Sequence, residues 1–255
     1  ETGIDLYKLP LQEKKDILCS CIYGIDIDIH AVEVAKFSLL IKLIEDETAP
    51  SVAEVVPILP DLGDNIQFGN SLVSQTELNG ISSANRQMME IAPFDWSTIN
   101  NGCGFDVIIG NPPYVNTEGM HALLPSAEVE VYKKKYKTSH KQFDKYFIFI
   151  EQAINKINEN GLVCYIVPNK FFKIGAGEKL RNLIAKERML VSLDDFGDAQ
   201  LFEDKTIYSS IILLSKAKQT SFVYSSVDSA NKLWAGEEVS SIELSSSVLN
   251  KLPWR

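Results

Sequence analysis

The sequence predicts an α/β fold: an open, mostly parallel sheet with helices on both faces. Two observations predict the layers. Short β-branched runs alternate with amphipathic helical stretches along most of the 255 residues. The connections between them are short, as they are in doubly wound domains. A third observation gives the sheet its polarity. The two most informative polar clusters each follow a strand directly, where an open parallel sheet places its ligands.

The elements follow in order. Residues 1–17 read as a polar approach with a short helical end. Residues 19–27, Cys-Ser-Cys-Ile-Tyr-Gly-Ile-Asp-Ile, read as a buried strand ending in acidic residues. A helix is expected from Ile29 to Glu45, because Val32, Ala35, Leu39, Leu40 and Leu43 recur at helical spacing. The prolines and Gly63 of 46–64 indicate a loop. A short strand, Asn65 to Phe68, ends at Gly69-Asn70-Ser71. A modest helix is expected within 75–91 and a turn at Asn100–Gly104. Phe105 to Ile109 is a β-branched run typical of a central strand. It leads into Gly110-Asn111-Pro112-Pro113-Tyr114.

Residues 115–141 read as irregular or weakly helical. Phe143, Phe147, Ile150, Ile154 and Ile157 mark an amphipathic helix, which Gly161 is expected to stop. A strand follows at Leu162–Val167, then a helix at Glu178–Glu187 and a strand at Leu190–Leu193. Thr206 to Leu214 is a long strand. No helix-length segment precedes it, so parallel pairing through a crossover is excluded and it should enter antiparallel. Ser221–Val227 has the composition of one more strand. The periodicity fades beyond residue 217. The expected division is a partial catalytic domain over 1–217 and a C-terminal extension over 218–255.

An apolar share of 45% supports a sizeable core. No run of 18 apolar residues exists, so no membrane span is predicted. The first residues do not resemble a signal peptide and carry no initiator Met, so the chain reads as a piece of something longer. A cytoplasmic location is expected. Cys19, Cys21, Cys103 and Cys164 fit no zinc spacing and read as free thiols. His30, His121 and His140 are scattered, and no metal is expected. The formal net charge of -9 repels a DNA backbone, so any DNA affinity must come from a local basic patch or another part of the protein.

Asp26 and Asp28 lie at the end of the first strand, where a carboxylate can accept hydrogen bonds from both hydroxyls of a ribose. Asp26 is the better candidate, since Asp28 is placed to cap the next helix. The alternative is that both are capping or solubilising residues. A complete nucleotide site would also need a glycine-rich turn one strand earlier.

Asn111-Pro112-Pro113-Tyr114 is the most informative tetrad. The amino group of adenine is a poor nucleophile because its lone pair is delocalised into the ring. A useful site accepts both amino hydrogens and leaves the nitrogen facing a methyl donor. The Asn111 side-chain oxygen can accept one hydrogen and the Pro112 carbonyl the other. Proline's fixed φ stiffens the turn and aims its carbonyls. Tyr114 offers a flat face for the base, worth roughly 1–3 kcal/mol by analogy with single-strand stacking platforms. Acceptors poised where positive charge develops favour the transition state. The alternative is a rigid turn with a core-packed tyrosine.

The run Phe105–Tyr114 resembles the catalytic motif of S-adenosylmethionine-dependent amino-methyltransferases. Tyr23–Asp28 with Ala31–Lys36 resembles their ribose-binding strand and helix. Asn65–Leu72 resembles the segment that contacts the cofactor's adenine. Asp144–Glu151, Gly161–Pro168 and Leu201-Phe202 with Tyr208–Leu214 complete an ordered set. Over roughly residues 22–216 the chain is similar to the adenine-N6 DNA methyltransferases of the gamma arrangement, closest to the Eco57I-like restriction–modification enzymes. The resemblance implies a Rossmann-like methyltransferase fold, with S-adenosylmethionine as cofactor and no metal. It implies catalytic roles for Asn111, Pro112 and Tyr114. Cofactor contacts would come from Asp26, Ile27, Asn70, Ser71 and Asn111. Pro113, Tyr114, Phe202 and Lys141 would contact a flipped adenine of double-stranded DNA. A linked nuclease and a target-recognition domain after the last strand are further implied partners. The family's glycine-rich cofactor loop and its strand have no match in residues 1–20, so the N-terminal strand of the fold is expected to be missing and the segment to be weakly active alone.

Residues 133–145 hold six lysines against one aspartate. They read either as a phosphate-contacting patch beside the site or as a solvated loop and helix start. Asp144 either caps the helix that follows or supports the active-site loop. Glu203-Asp204-Lys205 has the form of some nuclease triplets, but no suitably placed acid precedes it. Two rival functions stay open: a protein glutamine methyltransferase using the same tetrad, and a degenerate methyltransferase fold that only binds DNA or a partner.

Overall fold

The structure, a computed structural model, describes residues 9–45, 47–53, 55–200, 208–229, 235–237, 239–250 and 253–254. The chain divides into two compact units. The first comprises residues 1–79 and 85–103, and the second residues 80–84 and 104–255.

In the first unit, helix α1 spans Leu11–Cys21, strand β1 Gly24–Asp26, and helix α2 Ile29–Ile44. Helix α3 (Ala49–Ala53) precedes strand β2 (Ile66–Phe68), and helices α4 (Gln75–Leu78) and α5 (Ala84–Ile91) follow. β1 and β2 pair in parallel, with Ile25 opposite Gln67. Their core gathers Leu11, Leu18, Val32, Leu43, Val55, Leu62 and Ile66. Buried Asn65 donates from Nδ2 to the carbonyls of Cys19 (2.7 Å) and Ile22 (2.9 Å), fixing the turn into β1.

Two expectations are corrected here. Cys19 and Cys21 are helical, because Leu11 and Leu18 are both buried on one face of α1 and the helical period continues through Cys21. The strand is therefore confined to three residues. The stretch 46–64 is not all loop, since α3 forms within it. All four cysteines are free thiols.

The second unit is built on a six-stranded sheet in the order β3-β4-β6-β5-β7-β8. These strands are β3 Phe105–Gly110, β4 Ile157–Pro168, β5 Leu190–Gln200, β6 Tyr208–Ser215, β7 Ser221–Ser226 and β8 Ser240–Ser245. β3 is parallel to β4, and β5 to β7. β6 runs antiparallel between β4 and β5, as the missing crossover helix requires, and β8 is antiparallel to β7. β3, β4, β5 and β7 thus share one direction. The helices are α6 Thr117–Leu123, α7 Ser126–Lys135, α8 Lys145–Lys156 and α9 Glu178–Lys186.

The region read as irregular contains α6 and α7. In α7, Ala127, Glu128, Val129, Val131 and Tyr132 are buried, and three lysines in its last turn suit the helix dipole while masking the apolar face in the sequence. The expected stop at Gly161 is also corrected. α8 ends at Lys156, and Gly161 lies inside β4. A Cβ at Gly161 would stand 2.8 Å from the Phe105 carbonyl oxygen, so glycine lets β3 and β4 approach at this point. No helix among the described residues is long and apolar enough to cross a membrane.

Candidate functional site

The tetrad opens where β3 ends, at Gly110. Asn111 and Pro113 are exposed, Pro112 is buried, and Tyr114 is half-buried. The turn is thus anchored through one proline while the asparagine amide stays open to solvent. The Tyr114 hydroxyl faces two acceptors, Asn111 Oδ1 and the Ile166 carbonyl of β4 at 2.9 Å. It carries one hydrogen, so it donates to one of them at a time. Burial pushes the Tyr114 phenol up to about 12 and keeps the ring neutral.

Beneath Tyr114 lies Tyr146, fully buried, with ring centroids 6.0 Å apart and planes at 80°. The Tyr146 ring also packs edgewise on Phe147 (4.6 Å) and Phe171 (6.2 Å), and its hydroxyl donates to the Pro168 carbonyl at 3.2 Å. Burial first, and the nearby Asp144 carboxylate second, hold its phenol well above the ordinary range. This edge-to-face array gives Tyr114 a rigid backing. Sequence reasoning placed Tyr146 only within a family-like segment. Its spacing one residue before Phe147 gave no sign that it would back the tetrad.

The chain after Tyr114 is fastened to the start of α8. Lys145 N donates to the Val115 carbonyl at 2.7 Å, Asn116 bridges to Asp144, and Thr117 Oγ1 donates to the Phe143 carbonyl at 2.8 Å. Asn116 then caps α6 by accepting from Gly119 N at 2.8 Å.

The lysines of 133–145 differ in their surroundings. Lys134 pairs with Glu130 at 2.6 Å, and Lys135 lies 4.9 Å from the Tyr136 ring centroid. Lys145 is mostly buried 3.6 Å from buried Glu128, to which the Tyr132 hydroxyl also donates. Burial lowers the Lys145 ammonium and Glu128 opposes that shift. Lys133 and Lys137 are exposed, Lys133 beside His121 at 3.1 Å. Lys141 is exposed, with a positive φ of 56°, and its Nζ lies 3.5 Å from Glu178. Phe202 and the triplet Glu203-Asp204-Lys205 lie outside the described residues.

In the first unit, Asp26 ends β1 and is exposed, and its Oδ1 accepts from Asp28 N at 2.8 Å. Asp28 is the N-cap of α2, accepting from His30 N at 2.9 Å. The two carboxylates are thereby separated in role: one caps, one ends a parallel strand in solvent. Ile27 and Phe68 beside them are 48% and 44% exposed. Asn70 is buried, and its Oδ1 accepts from Leu72 N at 3.1 Å. The Ser71 carbonyl accepts from Trp96 Nε1 at 3.1 Å. A Cβ at the preceding Gly69, φ 154°, would meet the Phe94 ring at 2.8 Å, so the turn after β2 needs glycine.

Together the sheet and tetrad define a Rossmann-like fold of the S-adenosylmethionine-dependent methyltransferase class. The chain belongs to the Eco57I restriction-modification methylase family, which residues 20–202 match. A Type II restriction enzyme and methyltransferase of Escherichia coli, RM.Eco57I, is 43% identical over 232 residues, covering 91% of this chain and 22% of its own length. The Type II methyltransferase M.PaeR7I of Pseudomonas aeruginosa is 31% identical over 113 residues, 44% of this chain and 19% of its own. The chain therefore spans about a fifth of these relatives. Among solved structures, the DrdV–DNA complex matches the fold with a TM-score of 0.63 at 14% identity, covering 92% of this chain and 25% of its own. A nuclease-deletion mutant of the Type ISP enzyme LlaGI, in complex with a DNA substrate mimic, matches with a TM-score of 0.57 at 13% identity, covering 88% and 20%.

Proposed function

We propose that the full-length protein carrying this chain transfers a methyl group from S-adenosylmethionine to N6 of an adenine turned out of double-stranded DNA. One observation carries the reading: Asn111 is open to solvent directly after β3, followed by a buried proline and within hydrogen-bond reach of a neutral, half-buried tyrosine. An amide oxygen presented this way suits an amino hydrogen. Asn111 Oδ1 takes one hydrogen and the Pro112 carbonyl the other, so the nitrogen lone pair is directed out of the ring plane. When the Tyr114 hydroxyl donates to Ile166, both Asn111 Oδ1 lone pairs are released for the base. The Tyr114 ring then stacks on adenine, and Pro113 lies exposed beside it.

The first unit fits the cofactor's ribose. Asp26 is an exposed carboxylate at a parallel strand end, with one oxygen held by a backbone N–H, so it is oriented to accept from paired hydroxyls. Exposed Ile27 is an apolar neighbour for the adenine ring, and Asn70 and Ser71 form the adjoining turn. When bound, the cofactor supplies an electrophilic methyl on a sulfonium. Lys141 and Phe202 are assigned to DNA, as the family resemblance implies. With a net charge of -9, most phosphate affinity must come from elsewhere in the full-length protein. A target-recognition domain beyond this segment fits that need. A linked nuclease fits the double name of the E. coli relative, a restriction enzyme and methyltransferase.

The test is nucleoside mass spectrometry of DNA from cells expressing the full-length protein. N6-methyladenine is expected, and Asn111→Ala should lower its rate of formation by about 100-fold or more. Unmethylated DNA alongside methylated glutamine in a cellular protein would end this reading.

A further inference from the structure

We propose that Asp144 is a positioning residue: paired with Lys170, it holds the segment that carries Tyr114 against the turn that follows β4. This rests on the methyl-transfer reading and adds a residue that touches neither base nor cofactor. Asp144 stands at the N-cap of α8, where an aspartate ordinarily accepts from the helix's first free N–H groups. Its side chain makes no such bond. Instead Oδ1 accepts from Lys170 Nζ at 3.0 Å, although Asp144 is 3% exposed. A buried carboxylate is costly unless paired, so a charge kept here in place of a cap bond points to the pairing itself.

The pair joins two turns that both leave the same ends of parallel strands. One is 111–116, after β3; Asn116 bridges to Asp144 and Val115 accepts from Lys145 N. The other is Asn169–Phe172, a single helical turn after β4 that carries Lys170. Tyr146, two residues on from Asp144, touches both sides: its ring meets Tyr114 and Phe171, and its hydroxyl holds the Pro168 carbonyl. Asp144 thus fixes the turn of α8 from which Tyr146 backs the stacking ring. Loosening it should misplace Tyr114 without unfolding the sheet. Displacements of about 1 Å at a reacting centre can cost about 100-fold in rate.

The experiment uses the full-length protein with Asp144→Asn, Lys170→Met, Lys170→Arg and the Asp144→Asn/Lys170→Met double variant. Methylation kinetics and backbone hydrogen exchange are measured on each. Asp144→Asn and Lys170→Met should each lower kcat by about 10- to 100-fold while KM for S-adenosylmethionine stays within about twofold. The double variant should be no worse than the poorer single one, and Lys170→Arg should recover most of the rate. Exchange should quicken in 111–117 and 169–174 and stay unchanged in the middle of α8. Wild-type kcat in Asp144→Asn, or a joint loss of kcat, cofactor affinity and α8 protection, would overturn the proposal. Should the wild type methylate no adenine, the methyl-transfer reading fails by itself. Exchange then decides the positioning role: faster exchange at 111–117 in both single variants upholds it, and unchanged exchange removes it.

Discussion

Two helices, each rich in large apolar side chains, end in opposite circumstances. α2 of the first unit has 16 residues and buries Val32 and Leu43; α8 of the second has 12 and buries eight of them. On α2, Val34 and Phe37 are 64% and 65% exposed. The difference lies in what each unit offers as a packing surface. Two three-residue strands cover one stripe of a helix, whereas a six-stranded sheet accepts a whole face and its flanks. Apolar composition therefore sets how much surface seeks cover, and sheet width sets how much finds it. Asn111 to Tyr114, backed by Tyr146, follow a strand of the wider sheet. Asp26 ends a strand of the narrower one.

The largest test of this contrast is Phe147→Ala. Phe147 is wholly buried and packs edgewise on Tyr146 and Phe171. Its truncation should cost about 3–5 kcal/mol in urea unfolding of the second unit. A loss under about 1 kcal/mol would mean that α8 is loosely packed and that the comparison fails.

Alkaline pH probes the same unit more gently. Burial raises the phenols of Tyr114, Tyr146 and Tyr165, all in the second unit. For Tyr114 the folded value is about 12 against 10.0 unfolded, so its contribution is complete below 10 and is lost as pH rises toward 12. Lys145 works in the opposite sense. Its lowered value makes stability rise with pH as it deprotonates, below its ordinary 10.5. Tyr114→Phe should remove the tyrosine's share of the alkaline loss. That share is about 1 kcal/mol or less once discounted for a ring half open to water. The slope of stability against pH between 10 and about 12 should be shallower in the variant; an identical slope would show that Tyr114 is not buried as described.

Legibility in the sequence followed periodicity. β3 with its tetrad, the antiparallel β6 and the cap at Asp28 were all readable, because each rests on local pattern or connection length. α7 was hidden, since its buried face includes Glu128 and Tyr132, a hydrogen-bonded acid and phenol that look solvent-facing in a sequence. The lysine run hid one exception for a related reason: Lys145 is one of its members, yet it is mostly buried against Glu128. Asp144 read either as a helix cap or as support for the active-site loop, and its partner Lys170 lies 26 residues away, beyond any local rule. Pairings of that kind are set by which strand ends the sheet brings side by side.

The smallest expected effect is the most direct reading of α2. Phe37 and Phe147 are the same residue type on two long helices, yet one is 65% exposed and the other fully buried. Replacing an exposed phenylalanine removes little contact area. Serine and phenylalanine have about the same helix propensity, so the exchange costs the helix backbone little. Phe37→Ser in this 255-residue chain should therefore change stability by no more than about 0.5 kcal/mol. The same substitution in the full-length protein reports whether other parts of the polypeptide cover α2. A loss of about 2 kcal/mol or more there, with none in the shorter chain, would show that the narrow sheet's helix is packed by residues outside this segment. A loss of that size in the shorter chain itself would mean that Phe37 is already buried, and the contrast between the two helices would disappear.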